Sequence, residues 1–478
     1  MATKNKVFSS LKLLTVARLI AQISRWAATL LVIQQLSPAD FGLAALATGV
    51  LSLLELFTSF GLNAAIIQSK IINKEKLRII FGMIVVINLS LAAIMWMIAP
   101  IAADFYNQPE LVGILRVLAF SFLFVIAGSL PTGLLVRSMR FKVIALSQVL
   151  SGIAGAVVSV YLAYSGFGYW AIIYGGLAIV GVSTLVDFIA NPVMVWPIFS
   201  FPRAKQYLSF GSMIMGVIIV RHLYVNLDII IAGKMWTQES LGIYAVALQL
   251  AVLPLNKIMP MIKQVAFPAY SKNQHDEEKV KGYMVKSMGL AMAISFPLFF
   301  GISSVAVLFV PVLLGETWQE TAVPIMILCM IIPFRMMIEL FEPALNAIGK
   351  PRTVFVNSLF ILAVMTPTFY VSINFGVLGL CLGWLISFPL LSVISSYWYC
   401  REMNISFRLM MKSIQLPFLS SALMAALVNL LIFLLSGKIA IILLLVISVA
   451  FGVVIYSSLI FIFDRKLFDQ YRSILTSR

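Results

Sequence analysis

The stretch KLLTVARLIAQISRWAATLLVIQQL, residues 12–36, decides how the rest of the chain is read. At 1.5 Å of rise per residue it spans roughly 36 Å, enough for a hydrocarbon core of about 30 Å, so it is expected to cross a bilayer as a helix. Yet it carries Arg18, Gln22 and Arg25. With Thr29 these follow i, i+4, i+7, i+11 spacing and share one helix face, and Arg25 falls near mid-membrane. An arginine at the bilayer centre costs about 2.5–3.5 kcal/mol even on the lenient insertion scale, so such a stripe faces a bundle interior or a water-filled cavity. The alternative is that each arginine snorkels or is neutralised by a buried carboxylate.

Composition carries the same message through the whole chain. Of its 478 residues 62% are hydrophobic and 11% charged, with a mean hydropathy of +1.04, which describes an all-α polytopic membrane protein. The net charge of +16 does not point to nucleic acid, because the basic residues are scattered singly between apolar runs. Cys329, Cys381 and Cys400 lie in or beside apolar segments and imply packing rather than a disulfide framework. Residues 1–12 have the positive start of a signal peptide, but the apolar run after them is long, interrupted by arginines and without a small-residue cleavage site. It is expected to remain as the first span.

Hydropathy places fourteen spans, at 12–36, 41–67, 79–103, 112–136, 143–164, 167–195, 208–234, 241–266, 284–310, 321–347, 353–373, 377–399, 414–435 and 439–463. With the N-terminus in the cytoplasm, 25 of the 34 lysines and arginines fall in cytoplasmic segments, while the opposite side holds Lys234 and Lys438 among six acids. The positive-inside rule therefore puts both termini in the cytoplasm. Five of the remaining seven basic residues, Arg18, Arg25, Arg221, Lys257 and Lys263, sit in spans 1, 7 and 8. No loop is long enough for a soluble catalytic domain and no phosphate-binding loop motif occurs, so nucleotide-driven chemistry is not expected. A glycan polymerase or ligase would need a large extracytoplasmic loop, and none is present.

The chain also repeats itself weakly. The turn LSPADFGLAAL from Leu36 resembles WTQESLGIYAV from Trp236 at an offset of 200 residues; Pro131 and Pro343, the basic turns after them, and Gly168 and Gly376 keep offsets of 208–212. Six spans repeated once, both copies starting in the cytoplasm, make a parallel repeat about an axis along the membrane normal. This divides the chain into a six-helix lobe at 1–200, a second at 205–410, and two further helices with a tail at 411–478.

Leu36-Ser-Pro-Ala-Asp-Phe-Gly-Leu43, Gly61 to Gln68, Leu253 to Ile258 with Phe267 to Ser271, and Pro343 to Pro351 together resemble the polysaccharide-transporter (Wzx-type) flippases. These belong to the multidrug/oligosaccharidyl-lipid/polysaccharide exporter superfamily, and the chain is most similar to the colanic-acid exporter type. The resemblance implies flipping of undecaprenyl-diphosphate-linked oligosaccharide across the bacterial cytoplasmic (inner) membrane by alternating access. Membrane lipid and the polysaccharide polymerase machinery are the further partners it implies, and it implies no cofactor and no enzyme activity. It also implies a central cavity lined chiefly by spans 1, 2, 7 and 8. There Arg18, Gln22, Arg25, Arg221 and Lys257 are the candidates for holding the diphosphate, because guanidinium forks bind such groups bidentately. The lipid II flippases of the superfamily carry a basic residue in the second helix, where this chain offers Glu55.

Among the acids, Asp228 and Asp187 are candidates for coupling transport to a proton or sodium ion, Asp228 being alternatively the counter-ion of Arg221 seven residues away. Arg335, Glu339, Glu342 and Asn346 form a stripe that reads as a structural ion-pair ladder. Trp26, Tyr224 and Tyr244 read as packing or interfacial aromatics before sugar-stacking ones. Two other functions fit the same architecture. A multidrug exporter moving organic cations would need a net acidic cavity, whereas cations outnumber acids in spans 1, 7 and 8; a scaffold of envelope synthesis would not need Arg18, Arg25 and Arg221 to converge.

Overall fold

Hydropathy this high leaves the backbone one route to satisfy its own N–H and C=O groups, the helix. The computed structural model describes residues 22, 25–58, 66, 73–200, 212–259, 262 and 276–463, and no strand occurs among them. Twelve segments of the described residues are long and apolar enough to cross a membrane. One of these, Pro351–Glu402, is two helices hinged at the short turn Ile373–Phe375; Thr368 and Ser387 hydroxyls meet across the hinge at 3.4 Å. The span expected at 12–36 is described only in its second half, so the number fourteen is not fixed by the described residues.

Two compact units divide the chain, Met1–Gly242 and Ile243–Arg478. The first contains α1 (residues 25–35), α2 (Pro38–Glu55), α3 (Lys74–Tyr106), α4 (Glu110–Leu118), α5 (Phe120–Arg137), α6 (Phe141–Tyr164), α7 (Trp170–Ala190) and α8 (Ser212–Met235). Helix α9 (Gln238–Val252) straddles the boundary. The lobes drawn from the repeat would part at 200–205, before α8. The compact units part after it, because α8 packs along α2: Leu46 and Tyr106 fill the space beside Gly233, and Ser52 Oγ lies 3.2 Å from His222 Nε2.

Asp40 shows how a short motif organises this unit. Ser37 caps α2 with its hydroxyl accepting the Asp40 N–H at 3.2 Å, and Asp40 Oδ2 accepts the Ser37 N–H at 3.1 Å, a closed capping box. The other oxygen, Oδ1, accepts the Tyr169 N–H at 3.0 Å where α7 begins. One carboxylate thus ends one helix and pins the turn leading to another.

The second unit contains α10 (Glu277–Leu313), α11 (Ala322–Ala347), α12 (Pro351–Ser372), α13 (Gly376–Glu402), α14 (Phe407–Leu435) and α15 (Ile441–Phe463). Phe296 of α10 is its aromatic centre, meeting Phe334 of α11 and Phe418 of α14 edge to face at 5.6 and 5.3 Å. Arg335 and Glu339 pair along α11 at 3.5 Å, with side chains 16% and 14% exposed, as the stripe on that helix leads one to expect. Tyr244 is fully buried and its hydroxyl accepts from Trp384 Nε1 at 3.0 Å, so it packs.

Replacing Asp40 by Ala opens the capping box and leaves the Ser37 and Tyr169 N–H groups without their acceptor, a loss of about 1–3 kcal/mol. Asp40→Ala should lower the thermal unfolding midpoint of the detergent-solubilised protein, and Asp40→Asn should lower it less. A midpoint equal to wild type in Asp40→Ala would remove the pinning role.

Candidate functional site

Arg25 lies on α1 and is half-buried, its stem lying across Gly152 of α6, where a Cβ would sit 3.0 Å from the arginine Cδ. The bare glycine lets the arginine lie this close to α6; a side chain there would make it shift by a few tenths of an ångström. Its Nη2 donates to Gln22 Oε1 at 3.0 Å, and its backbone carbonyl accepts from the Thr29 hydroxyl at 2.9 Å. The buried Nε has no hydrogen-bond partner, and no carboxylate among the described residues pairs with the group. A half-buried guanidinium with a buried, unpartnered Nε and no anion is out of balance, since charges withdrawn from water are normally paired. The sequence foresaw the helix face and the Gln22 contact. It did not foresee Gly152, whose only signal is one glycine in an apolar helix.

Arg18 lies outside the described residues. Arg221 of α8 is half-buried and Asp228 fully so; Asp228 Oδ1 accepts the Ile229 N–H at 2.8 Å. Lys257 is exposed and belongs to the second unit. The structure therefore brings Gln22 to Arg25, and the described contacts do not join Arg25 to Arg221.

Asp187 is 4% exposed on α7. Its Oδ2 accepts from the Thr132 hydroxyl of α5 at 2.5 Å, while Oδ1 has no partner among the described residues. Thr132 was not singled out by sequence; its spacing from Asp187 carries no periodic signal. No basic side chain among the described residues pairs with Asp187, so this oxygen is a buried acceptor left open to a further partner.

The two turns matched by the repeat touch each other. A Cβ on Gly42 would overlap the Gln238 carbonyl, and a Cβ on Gly242 would overlap the Pro38 carbonyl. Pro38 and Gln238, like Gly42 and Gly242, are 200 positions apart, so the contact is reciprocal. The sequence matched these turns but held no sign that they meet. Gln238 also contacts Gln108, and Lys234 Nζ donates to the Phe105 carbonyl at 2.5 Å, so polar groups surround the glycine contact.

Comparison with known proteins follows this geometry. The solved lipid II flippase MurJ, in an inward closed conformation, superposes with a TM-score of 0.76 at 14% identity, covering 95% of this chain and 99% of that one. The fold is therefore the one MurJ has. The chain belongs to the family described as polysaccharide biosynthesis protein, whose profile matches residues 34–323. Two relatives are similar over most of their length. Teichuronic acid biosynthesis protein TuaB of Bacillus subtilis is 25% identical across 77% of each chain. Lipopolysaccharide biosynthesis protein WzxC of Escherichia coli is 25% identical across 79% of this chain and 78% of its own.

Because neither turn tolerates a Cβ while the two touch, Gly42→Ala should part them. The buried Leu46, replaced by Cys, should then react with a maleimide severalfold faster in the Gly42→Ala background than with Gly42 in place. An unchanged labelling rate would show that the turns hold by other contacts.

Proposed function

We propose that this protein is a flippase that moves undecaprenyl-diphosphate-linked oligosaccharide, the repeat unit of a surface polysaccharide, across the cytoplasmic membrane by alternating access. It acts as a transporter and not as an enzyme. The observation that carries the reading is Arg25, a half-buried guanidinium held by Gln22 and Gly152 with no carboxylate partner among the described residues. A diphosphate supplies the missing anion. Family membership and the biosynthesis relatives support a glycan carrier, and the likeness to MurJ supports the architecture. A multidrug exporter of organic cations would be opposed by the same unpaired positive charge.

In this reading Arg25, oriented by Gln22, takes the diphosphate, and Arg18, Arg221 and Lys257 add positive charge along the substrate's path. The glycan occupies the wet interior and the polyprenyl tail stays in lipid. Contact of the 36–43 and 236–243 turns closes one face, and their separation opens it. Asp187 with Thr132, and Asp228, are the positions at which a proton or sodium ion couples to that movement. Both termini lie in the cytoplasm, and the flipped repeat unit passes to the polysaccharide polymerase machinery.

Loss of a charge-assisted contact to a diphosphate is worth about 1.5–3 kcal/mol, or roughly tenfold to over a hundredfold in binding. Export of the native glycan, measured in cells at matched protein levels, should rank wild type, Arg25→Lys, Arg25→Ala, Arg25→Glu, since an ammonium keeps the charge but loses the fork. Full export by the Glu variant would rule out the diphosphate role.

A further inference from the structure

After α7 ends at Ala190, residues 191–200 run extended along one rim of the first unit. Pro192 and Pro197 prevent a helix from continuing through them. Exposure alternates from Asn191 to Trp196 and shifts by one residue at Pro197: Val193, Val195 and Ile198 pack on the cluster of Ile79, Ile80, Met83 and Leu130, while Met194, Trp196 and Phe199 are exposed. The outward set is apolar, with Met194 89%, Trp196 84% and Phe199 61% exposed. Isolated apolar residues on a surface need no explanation, but three in a row on a strap fixed at both ends do.

The fixing groups are basic. Arg78 Nε donates to the Trp196 carbonyl at 3.0 Å, and the Ile198 N–H donates to the Arg78 carbonyl at 3.0 Å. Arg140 Nη1 donates to the Ala190 carbonyl at 3.1 Å. Arg78 thereby uses one N–H on the strap and Arg140 one on the last residue of α7 before it, and both residues remain exposed, as do Lys74 and Lys142. Glu75 on the first turn of α3 is outnumbered there. Exposed apolar residues lead up to the strap along one face of the membrane-spanning α7, Leu185 at 56% and Ile189 at 69%, and Met139 at 75% lies between α5 and α6 next to Arg140. A face for a water-soluble partner would be separated from the hydrocarbon by polar residues; this one runs into it.

We propose that the strap 191–200 and its basic flanks form a seat for anionic phospholipid of the surrounding leaflet. Met194, Trp196 and Phe199 enter the interface between headgroup and acyl chain, where amphipathic aromatics are favoured. The spare N–H groups of Arg78 and Arg140, with Lys142, hold the phosphate, as basic clusters beside a membrane do. The strap is tied to the starts of α3 and α6 and the end of α7, so lipid bound there holds these ends at one depth.

The test uses the full chain in nanodiscs of phosphatidylcholine containing either brominated phosphatidylglycerol or brominated phosphatidylcholine, both quenchers of nearby tryptophan. The Trp196 signal is the difference between wild type and Trp196→Phe, a change at a side chain that makes no packing contact of consequence. It should be quenched about twofold or more by the brominated phosphatidylglycerol relative to the brominated phosphatidylcholine, and the preference should vanish in Lys142→Gln or in about 0.5 M salt. Equal quenching by the two lipids would overturn the anionic seat. No quenching by either would overturn the proposal entirely and leave the strap facing water or a protein partner.

Discussion

Inside hydrocarbon no water is available to a backbone or side-chain polar group, and each such group must find its partner on its own helix or the next. The described helices show this repeatedly. Asn88 donates to the Ile84 carbonyl on its own helix and to the Thr58 carbonyl from another segment, and Ser304 and Ser358 each donate to a carbonyl four residues back. Arg116 lays its guanidinium 4.8 Å from the Trp96 ring centre. Eleven buried side-chain atoms of the described residues depart from that rule, nine of them on serine and asparagine, Asn88 Oδ1 included; the two on ionisable residues are Arg25 Nε and Asp187 Oδ1. A membrane protein keeps such groups where something that is not protein will meet them.

The helical architecture was legible because the bilayer imposes length and hydropathy on every span. Departures occur at the ends, where apolar windows stop and caps take over. The span expected at 414–435 is a helix from Phe407, because Ser406 caps it and the added turn carries Arg408 and Lys412 beyond the apolar run. The one expected at 284–310 runs Glu277–Leu313, started by the Asp276 cap on the Lys279 N–H. That cap is exposed, and its hydrogen bonds with Lys279 hold the Asp276 carboxyl below its ordinary range. Its contribution is present at neutral pH and fades as acid protonates the carboxylate.

The candidate site was legible only along single helices. Spacing placed Gln22 and Arg25 on one face, and the structure joins them. What lies across from a helix was not written in its period. Gly152 beneath Arg25, Thr132 against Asp187 and Ser52 against His222 depend on how neighbouring helices are rotated, which hydropathy does not encode. In the first of the motifs behind the family resemblance the residues are architectural: Ser37 and Asp40 make a cap and a tie, and Gly42 makes room for a neighbour. Resemblance in such residues identifies a scaffold, and the glycan it carries is read elsewhere.

The glycine contact between the turns at Leu36 and Trp236 carries a symmetry of its own. Each turn offers the other the same pair of groups, a carbonyl at one position and a bare Cα four residues on. This is the self-complementary geometry of an isologous dimer interface. In such a contact each glycine is held by the other turn's backbone and not by its own neighbours, so the flanking residues differ, Ser-Pro-Ala-Asp in one turn and Thr-Gln-Glu-Ser in the other, while a side chain is excluded at both Gly42 and Gly242.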